Sequence, residues 1–308
     1  MHLSTTACAR SDEWPVRLLI TGAAGLLGGR LAECLAFRFD VTAGYHRAKP
    51  PHGLAACRVD VTSEPQLHAV VARVRPDAIV HSAAMADADQ CERAPEDAQR
   101  VNVAASQAIA RVCAQAAIRL VALSTDLVFD GSQAPYREEA RGHSNLVYGQ
   151  TKLAGEEALL GEYPEAAVVR VALVIGRGFG PRATASEAIA WRLASGQRVR
   201  LFSDQHRSPV AADSVADAIA RLALGRQTGH FHLGGPERIS RLELGLRVAR
   251  VFGLPSDGIE SVRQADSPVG APRPQDVSLD SSRARHELDW APLPLDEAIR
   301  SGRSSVEG

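Results

Sequence analysis

Tyr148 and Lys152 stand four residues apart in the run Tyr148-Gly149-Gln150-Thr151-Lys152. The chain uses arginine almost wherever it needs a positive charge. It holds two lysines, Lys49 and Lys152, which leaves 33 arginines among its 35 basic residues. A lysine kept in such a chain points to a task that a guanidinium cannot perform. An ammonium is a compact charge with rotatable donors, whereas a guanidinium is a broad planar fork. Residues four apart share one helix face, so phenol and ammonium can meet in one pocket. A cation beside a phenol favours the phenolate and draws its pKa down from about 10. The expected chemistry is proton transfer near neutral pH by Tyr148, tuned by Lys152. The tetrad alone is short and common, and by itself favours an ordinary surface helix. Its weight comes from the elements around it.

Those elements alternate. Val16–Ile20, Val41–Gly44, Ala56–Val59, Ala78–His81, Leu120–Leu123 and one continuous run, Ala167–Ile175, read as buried strands. Between them Leu26–Phe37, Glu64–Val74, Glu96–Ala116 and Leu146–Leu160 have helical spacing, and Pro76 closes the second helix. The pattern predicts an α/β fold: a Rossmann-type, doubly wound parallel sheet covered on both faces. After Gly176 the rhythm loosens into helices near 184–195, 213–224 and 241–252, with short strands at Arg198–Phe202 and His230–Leu233. The stretch 254–280, rich in Pro, Ser and Asp, reads as loop. The expected organisation is a flexible extension over 1–14, a dinucleotide-binding domain over 15–176 and a smaller, mixed, mainly substrate-binding domain over 177–308. Some segments of the last can return to the first sheet.

Thr21-Gly22-Ala23-Ala24-Gly25-Leu26-Leu27-Gly28 lies between the first strand and the first helix. Gly22 suits a tight turn, Gly25 a close approach to a pyrophosphate, and Gly28 close helix–strand packing. Phosphates would then sit at the helix N-terminus, on the free amides that include those of Leu26 and Leu27. At the end of the second strand an NAD site usually carries an acid for the ribose hydroxyls. Here the run is Gly44-Tyr45-His46-Arg47-Ala48-Lys49. Arg47, helped by His46 or Lys49, suits a 2′-phosphate, so NADPH is expected over NADH. Asp60-Val61, after the third strand, are candidates for the adenine.

Six runs together resemble the extended short-chain dehydrogenase/reductases, and among them the dTDP-4-dehydrorhamnose reductase-like nucleotide-sugar ketoreductases. They are Thr21–Gly28, His81-Ser82-Ala83-Ala84, Val101-Asn102-Val103, Ser124-Thr125-Asp126-Leu127-Val128-Phe129-Asp130-Gly131, Tyr148–Lys152 and Asp204-Gln205-His206-Arg207-Ser208-Pro209. The resemblance implies a catalytic trio of Thr125, Tyr148 and Lys152. It implies cofactor contacts at Ser82, Ala83, Ala84 and Asn102 as well as at the glycine loop. It places substrate contacts at Met85, Thr125, Asp126, Val128, Phe129, Arg207 and Arg273, with the two arginines as candidates for a diphosphate. Leu127 stands where rhamnose-type enzymes commonly have tyrosine, and Val171–Gly176 and Met85–Asp89 also depart from the pattern, which leaves the sugar open. The same family resemblance extends to the regulatory β subunit of methionine adenosyltransferase, a non-catalytic alternative, and more distantly to nucleotide-sugar epimerases.

Composition narrows the partners. A net charge of −1 over 308 residues gives no basic groove for nucleic acid and no polybasic face for an anionic membrane. No run reaches the roughly 18 apolar residues of a membrane span. Five scattered cysteines, with no Cys-x-x-Cys pair, suggest a reducing compartment and no metal site. With no signal peptide visible in residues 1–14, a cytoplasmic protein is expected. Its partner would be a small nucleotide-sugar, and a homodimer stays open.

Overall fold

The computed structural model of the chain describes residues 15–180, 183–266 and 273–302. The extension expected over 1–14 lies outside these residues. In chain order the first half holds β1 (Arg17–Thr21), α1 (Leu26–Leu35), β2 (Asp40–Tyr45), β3 (Ala55–Arg58), α2 (Glu64–Val74), β4 (Ala78–His81), α3 (Ala88–Arg93), α4 (Pro95–Gln99), α5 (Ala105–Ala116), β5 (Arg119–Thr125) and α6 (Val147–Glu162). The second half holds β6 (Ala167–Val171), β7 (Val174–Ile175), α7 (Ala185–Ala194), β8 (Val199–Phe202), β9 (His206–Arg207), β10 (Val210–Ala211), α8 (Ala212–Leu224), β11 (Gly229–Leu233), β12 (Ile239–Ser240), α9 (Arg241–Phe252), β13 (Ile259–Val262), α10 (Ser282–Glu287) and α11 (Leu295–Arg300).

Seven strands make one sheet in the order β11-β6-β5-β4-β1-β2-β3, parallel at every junction. β4 and β6 are buried at every position, so they read in sequence as apolar runs rather than alternating ones. Helices α1 and α8 cover one face, and α2, α5 and α6 cover the other, each layer closing its own apolar cluster. A third cluster lies between α7, α9, α11 and β8. The sheet order reverses between β1 and β4. Open α/β sheets bind ligands at such a switch point, outside the carboxyl ends of the strands. Here those ends deliver Thr21-Gly22 and His81-Ser82 to one crevice.

Three sequence expectations change. The single helix expected over Glu96–Ala116 is α4 and α5 joined by a π-helical turn, Arg100–Ala104. Such turns insert a residue and redirect a side chain; this one carries Asn102. The single strand expected over Ala167–Ile175 divides, because the chain leaves β11 after Ala172, whose amide donates to the Leu233 carbonyl at 3.0 Å, and pairs again as β7 with β10. The loop expected over 254–280 contains β13, which pairs with β8 through Ile259–Val262, because backbone pairing there outweighs the turn-forming residues that flank it. The sequence after Gly176 also contributes to the main sheet, through β11 beside β6.

Candidate active site

The glycine loop is shaped by contact distances. Gly22 has a φ of 70°, and a Cβ there would sit 2.6 Å from the Ala83 amide nitrogen, so β1 and β4 converge only because that side chain is missing. A Cβ on Gly28 would run into the Gly22 carbonyl. α1 starts with Gly25 as its N-cap, has no capping side chain and carries no acid in its first turn. Its first amides therefore face the crevice without a partner from a capping side chain, which is what an anion at a helix N-terminus requires.

The crevice is a cleft of about 670 Å³. Gly22, Gly25, Leu26, Leu27, Gly28, His46, Arg47, Asp60, Val61, Ser82, Ala83, Ala84, Thr125, Tyr148 and Lys152 all line it, so most of the expected cofactor residues share one wall with the expected catalytic trio. Asn102 does not. Its amide nitrogen donates to the Met85 carbonyl at 3.1 Å and to the Thr151 hydroxyl at 3.1 Å, and its oxygen accepts from the Met85 amide at 2.9 Å. Asn102 thus fixes the loop after β4 against α6, because the π-helical turn points it there. At the far end His46 and Arg47 are exposed. His46 Nε2 lies 3.7 Å from Asp60 Oδ2, and the Thr62 hydroxyl and amide hold the Asp60 carboxyl below its usual range.

Phe179 also lines the cleft and was not legible in the sequence. Its amide donates to the Leu26 carbonyl at 3.1 Å, and a Cβ on Gly29 would strike its ring. No spacing signal links residues so far apart in the chain.

Thr125 ends β5, while Tyr148 and Lys152 rise from the first turns of α6. Gly149 explains how the helix comes so close: a Cβ there would collide with the Leu127 carbonyl and the Ser144 side chain. A glycine inside a helix costs about 1 kcal/mol, offset here by the packing of α6 on the Thr125–Leu127 turn. The Thr125 hydroxyl donates to Asp126 Oδ1 at 3.2 Å and accepts from the Leu127 amide at 3.2 Å. Lys152, 7% exposed, donates from Nζ to the Leu123 carbonyl at 2.8 Å. Burial draws the Lys152 ammonium down to about 8, with Glu156 pulling the other way.

The expected lowering of the Tyr148 pKa is overturned. Burial pushes the phenol up, Asp126 adds to the rise, and the Thr125 hydroxyl only partly opposes it. Taking a phenolate out of water is costly, and the Lys152 ammonium is directed at the Leu123 carbonyl. Tyr148 is therefore held as the neutral phenol, a proton donor.

The residues expected to touch substrate divide. Met85 is pinned through its backbone by Asn102, as described. Val128 is 0% exposed and Phe129 1% exposed. Phe129 stacks on Tyr136 with ring centroids 4.0 Å apart; Val128 is core, a correction, since a ligand has no access to it, whereas Phe129 lines a hollow apart from the cleft. Asp126 is 5% exposed, its Oδ2 has no hydrogen-bond partner, and burial raises it to about 6 against the pull of Arg207. Arg207 is 6% exposed and donates to the His206 carbonyl at 2.6 Å and the Pro274 carbonyl at 3.1 Å. Arg273 pairs with Asp89 at 3.0 Å and borders a second hollow of about 360 Å³ with Phe129. Arg241 completes this charged group: its Nη1 is buried without a partner, and burial lowers it to about 10. Arginine is so common in this chain that Arg241 gave no signal.

Glu156 is a further residue that sequence reasoning did not single out. It accepts from Arg170 at 2.7 and 3.1 Å, from or beside His230 Nε2 at 3.1 Å, and from the Ser124 hydroxyl. Burial alone would raise its pKa, but His230 and Arg170 outweigh that and hold it at about 2. Its position four residues beyond Lys152 was the available clue. Among the described residues no group of three or more metal-ligating side chains occurs, and no helix is long and apolar enough to cross a membrane.

Residues 16–303 match the family described as RmlD substrate binding domain. The chain is 31% identical over 288 residues to the probable low-salt glycan biosynthesis reductase Agl14 of Haloferax volcanii, covering 91% of this chain and 95% of that protein. It is 34% identical to methionine adenosyltransferase 2 subunit beta of Bos taurus, covering 87% of this chain and 81% of that one. The crystal structure of a hypothetical dTDP-4-dehydrorhamnose reductase from Sulfolobus tokodaii superposes with a TM-score of 0.80 at 35% identity, over 91% of this chain and 98% of the other. The glycine-lined switch-point cleft, the Thr125/Tyr148/Lys152 set on its wall and a match over nearly the whole described length lead to one conclusion: the chain belongs to the RmlD substrate-binding domain family, among the extended short-chain dehydrogenase/reductases.

Proposed function

We propose that this protein is an NADPH-dependent oxidoreductase, able to use NADH less well, that reduces a keto group on a nucleotide-linked deoxysugar of the dTDP type. The observation that carries this reading is the convergence of Thr125, Tyr148 and Lys152 on the cleft that the glycine loop opens. The cleft fits a dinucleotide: close backbone at Gly22 and Gly28, uncapped amides at α1, and exposed Arg47 and His46 where a 2′-phosphate would lie.

When bound, the nicotinamide supplies hydride. The chain's own residues do the rest. Thr125 and Tyr148 present hydroxyls to the ketone oxygen, where negative charge grows in the transition state and fixed donors help most. Tyr148, kept neutral by burial, delivers the proton. Lys152, charged at neutral pH, stabilises the phenolate left behind and holds the cofactor ribose. In this reading residues 177–308 supply most of the sugar-facing surface, and Asp126 with Arg207 and Arg241 forms its charged floor.

The test is turnover of purified protein with NADPH and a panel of keto-sugar nucleotides, dTDP-4-dehydrorhamnose first. Oxidation of NADPH only when a ketone is present is the expected result. The likeness to methionine adenosyltransferase 2 subunit beta supports a second reading, a dinucleotide-binding partner protein. Tight NADPH binding without turnover of any ketone, joined to recovery of a stoichiometric enzyme partner, would favour that reading. An intact catalytic set in one cleft stands against it.

A further inference from the structure

Ser124 on β5, Arg170 on β6 and His232 on β11 are register partners across three parallel strands. They form a polar row beneath α6. All three are buried, and Glu156 of α6 sits on the row. Its carboxylate takes the Arg170 fork and the Ser124 hydroxyl, and His230, two residues before His232, closes the edge at 3.1 Å. Arg170 also reaches His232 Nε2 at 3.4 Å, and His232 Nδ1 meets the Tyr136 carbonyl at 3.0 Å. A buried ion pair is by itself weak evidence of anything but structure. Two features of this one point further. Ser124 is the residue between Leu123, whose carbonyl holds Lys152 Nζ, and Thr125. Glu156 is also one helical turn from Lys152 on the same face of α6.

We propose that Glu156 is a positioning residue of the reductase: fixed by Ser124, Arg170 and His230, its carboxylate locks α6 to the end of β5 and keeps Lys152 in place as an ammonium. The inference rests on the functional reading above for the role of Lys152, but not for the interaction itself. The surroundings of Lys152 make the carboxylate necessary. From β5 it receives only the neutral Leu123 carbonyl, and from its own helix Tyr148, held as a phenol. From β4 it faces His81, buried, bonded to the Thr21 hydroxyl at 2.9 Å and kept neutral down to about 3 by burial and then by Lys152 itself. Arg170 on β6 and His230 and His232 on β11 lie beyond Glu156. Burial therefore works to discharge Lys152, and the Glu156 carboxylate, one turn along the same face of α6, opposes it.

The chain's two lysines make the test direct. With lysine labelled with nitrogen-15 at Nζ, the intact protein gives two side-chain signals, and Lys49→Arg assigns them. Glu156→Gln keeps the shape and removes the charge. The Lys152 ammonium should then titrate about one pH unit lower than in the unaltered protein. With NADPH and dTDP-4-dehydrorhamnose, kcat should fall about fivefold at pH 8, where the protonated fraction drops, and hardly at all at pH 6. A merely structural role would lower kcat equally at both. If Glu156→Gln does not fold, Glu156→Gln with Arg170→Gln removes both buried charges together and leaves no unpaired guanidinium; the lost guanidinium offsets part of the lost carboxylate, so a downward shift smaller than that of the single variant is expected. An unmoved Lys152 titration in the folded variant overturns the proposal, as does equal loss of kcat at both pH values. Absence of turnover in the unaltered protein would instead defeat the functional reading, while the titration would still decide the role of Glu156.

Discussion

Lys152 Nζ lies 2.8 Å from the carbonyl oxygen of Leu123, so the ammonium is fastened to the strand that two residues later presents Thr125. That hydrogen bond explains why lysine persists in a chain otherwise supplied with arginine. A guanidinium is longer and planar, needs several acceptors, and would meet one carbonyl in a buried slot. Lys152→Arg, with its charge preserved, should lower kcat by at least about tenfold, because the Arg cannot occupy the Lys position without displacing α6. Steady-state kinetics against a folded, NADPH-binding variant checks this; near-normal kcat would show that charge alone suffices.

Tyr148→Phe removes the hydroxyl proposed to donate the proton and leaves the rest of the cleft wall. It should reduce kcat by about a hundredfold or more, the scale of a lost general acid, with the NADPH dissociation constant little changed. Fluorescence titration of NADPH beside the kinetics separates the two effects. Since burial keeps the phenol protonated, the unaltered enzyme should show no loss of rate from Tyr148 ionisation as pH rises to 9.

Arg47 stands exposed in the cleft, beside the His46–Asp60 pair, where the proposed cofactor would place its 2′-phosphate. Arg47→Ala should weaken NADPH binding about tenfold, the measure of a charge-assisted hydrogen bond of about 1.5 kcal/mol. NADH, lacking the 2′-phosphate, should bind as before. Equal weakening of both coenzymes would remove Arg47 from phosphate recognition.

Acid should unfold this protein through its interior histidines and Glu156. His81 and His232 are held neutral down to about 3, chiefly by burial, from an ordinary value of 6.5. Between those values the unfolded chain binds protons that the folded chain refuses, so stability falls as pH drops below about 6.5. Glu156, depressed to about 2 in the fold, contributes stability above its unfolded value of about 4.3 and loses it as pH falls towards 2. All three act in the same direction. Thermal melting between pH 7 and 4 should show a continuous decline, and His232→Gln should flatten its upper part; a level Tm over that range would contradict the assignment.

What could be read beforehand was whatever depends on neighbours in sequence. The ends of α2 and β4 coincide with the apolar spacing of Glu64–Val74 and Ala78–His81, because Pro76 stops one and both-face burial marks the other. The glycine loop was legible because its tight turn and helix start lie within one short run. The Glu156 network was not, since its members come from positions 124, 156, 170 and 230, and Arg170 looks like any of the other arginines. The direction of the Tyr148 shift failed for a related reason: spacing reveals which charge is near, but only packing reveals how much water has been removed. The partners of Asn102 were not legible because nothing in the apolar pattern of Glu96–Ala116 marks the π-helical turn that aims it.

The seventh strand of the sheet, β11, begins 58 positions after the last residue of β6, the strand it pairs with (229 less 171). A chain emerging from the ribosome therefore has a stage at which six strands are available, yet β6 still offers an open edge carrying Arg170 and Glu156 lacks His230. Until residues 229–233 arrive, that flank is a template for strand addition by another nascent chain. Shortened products that stop near Gly225 should accumulate as aggregates or chaperone complexes, because completion of the sheet and discharge of this hazard are the same late event.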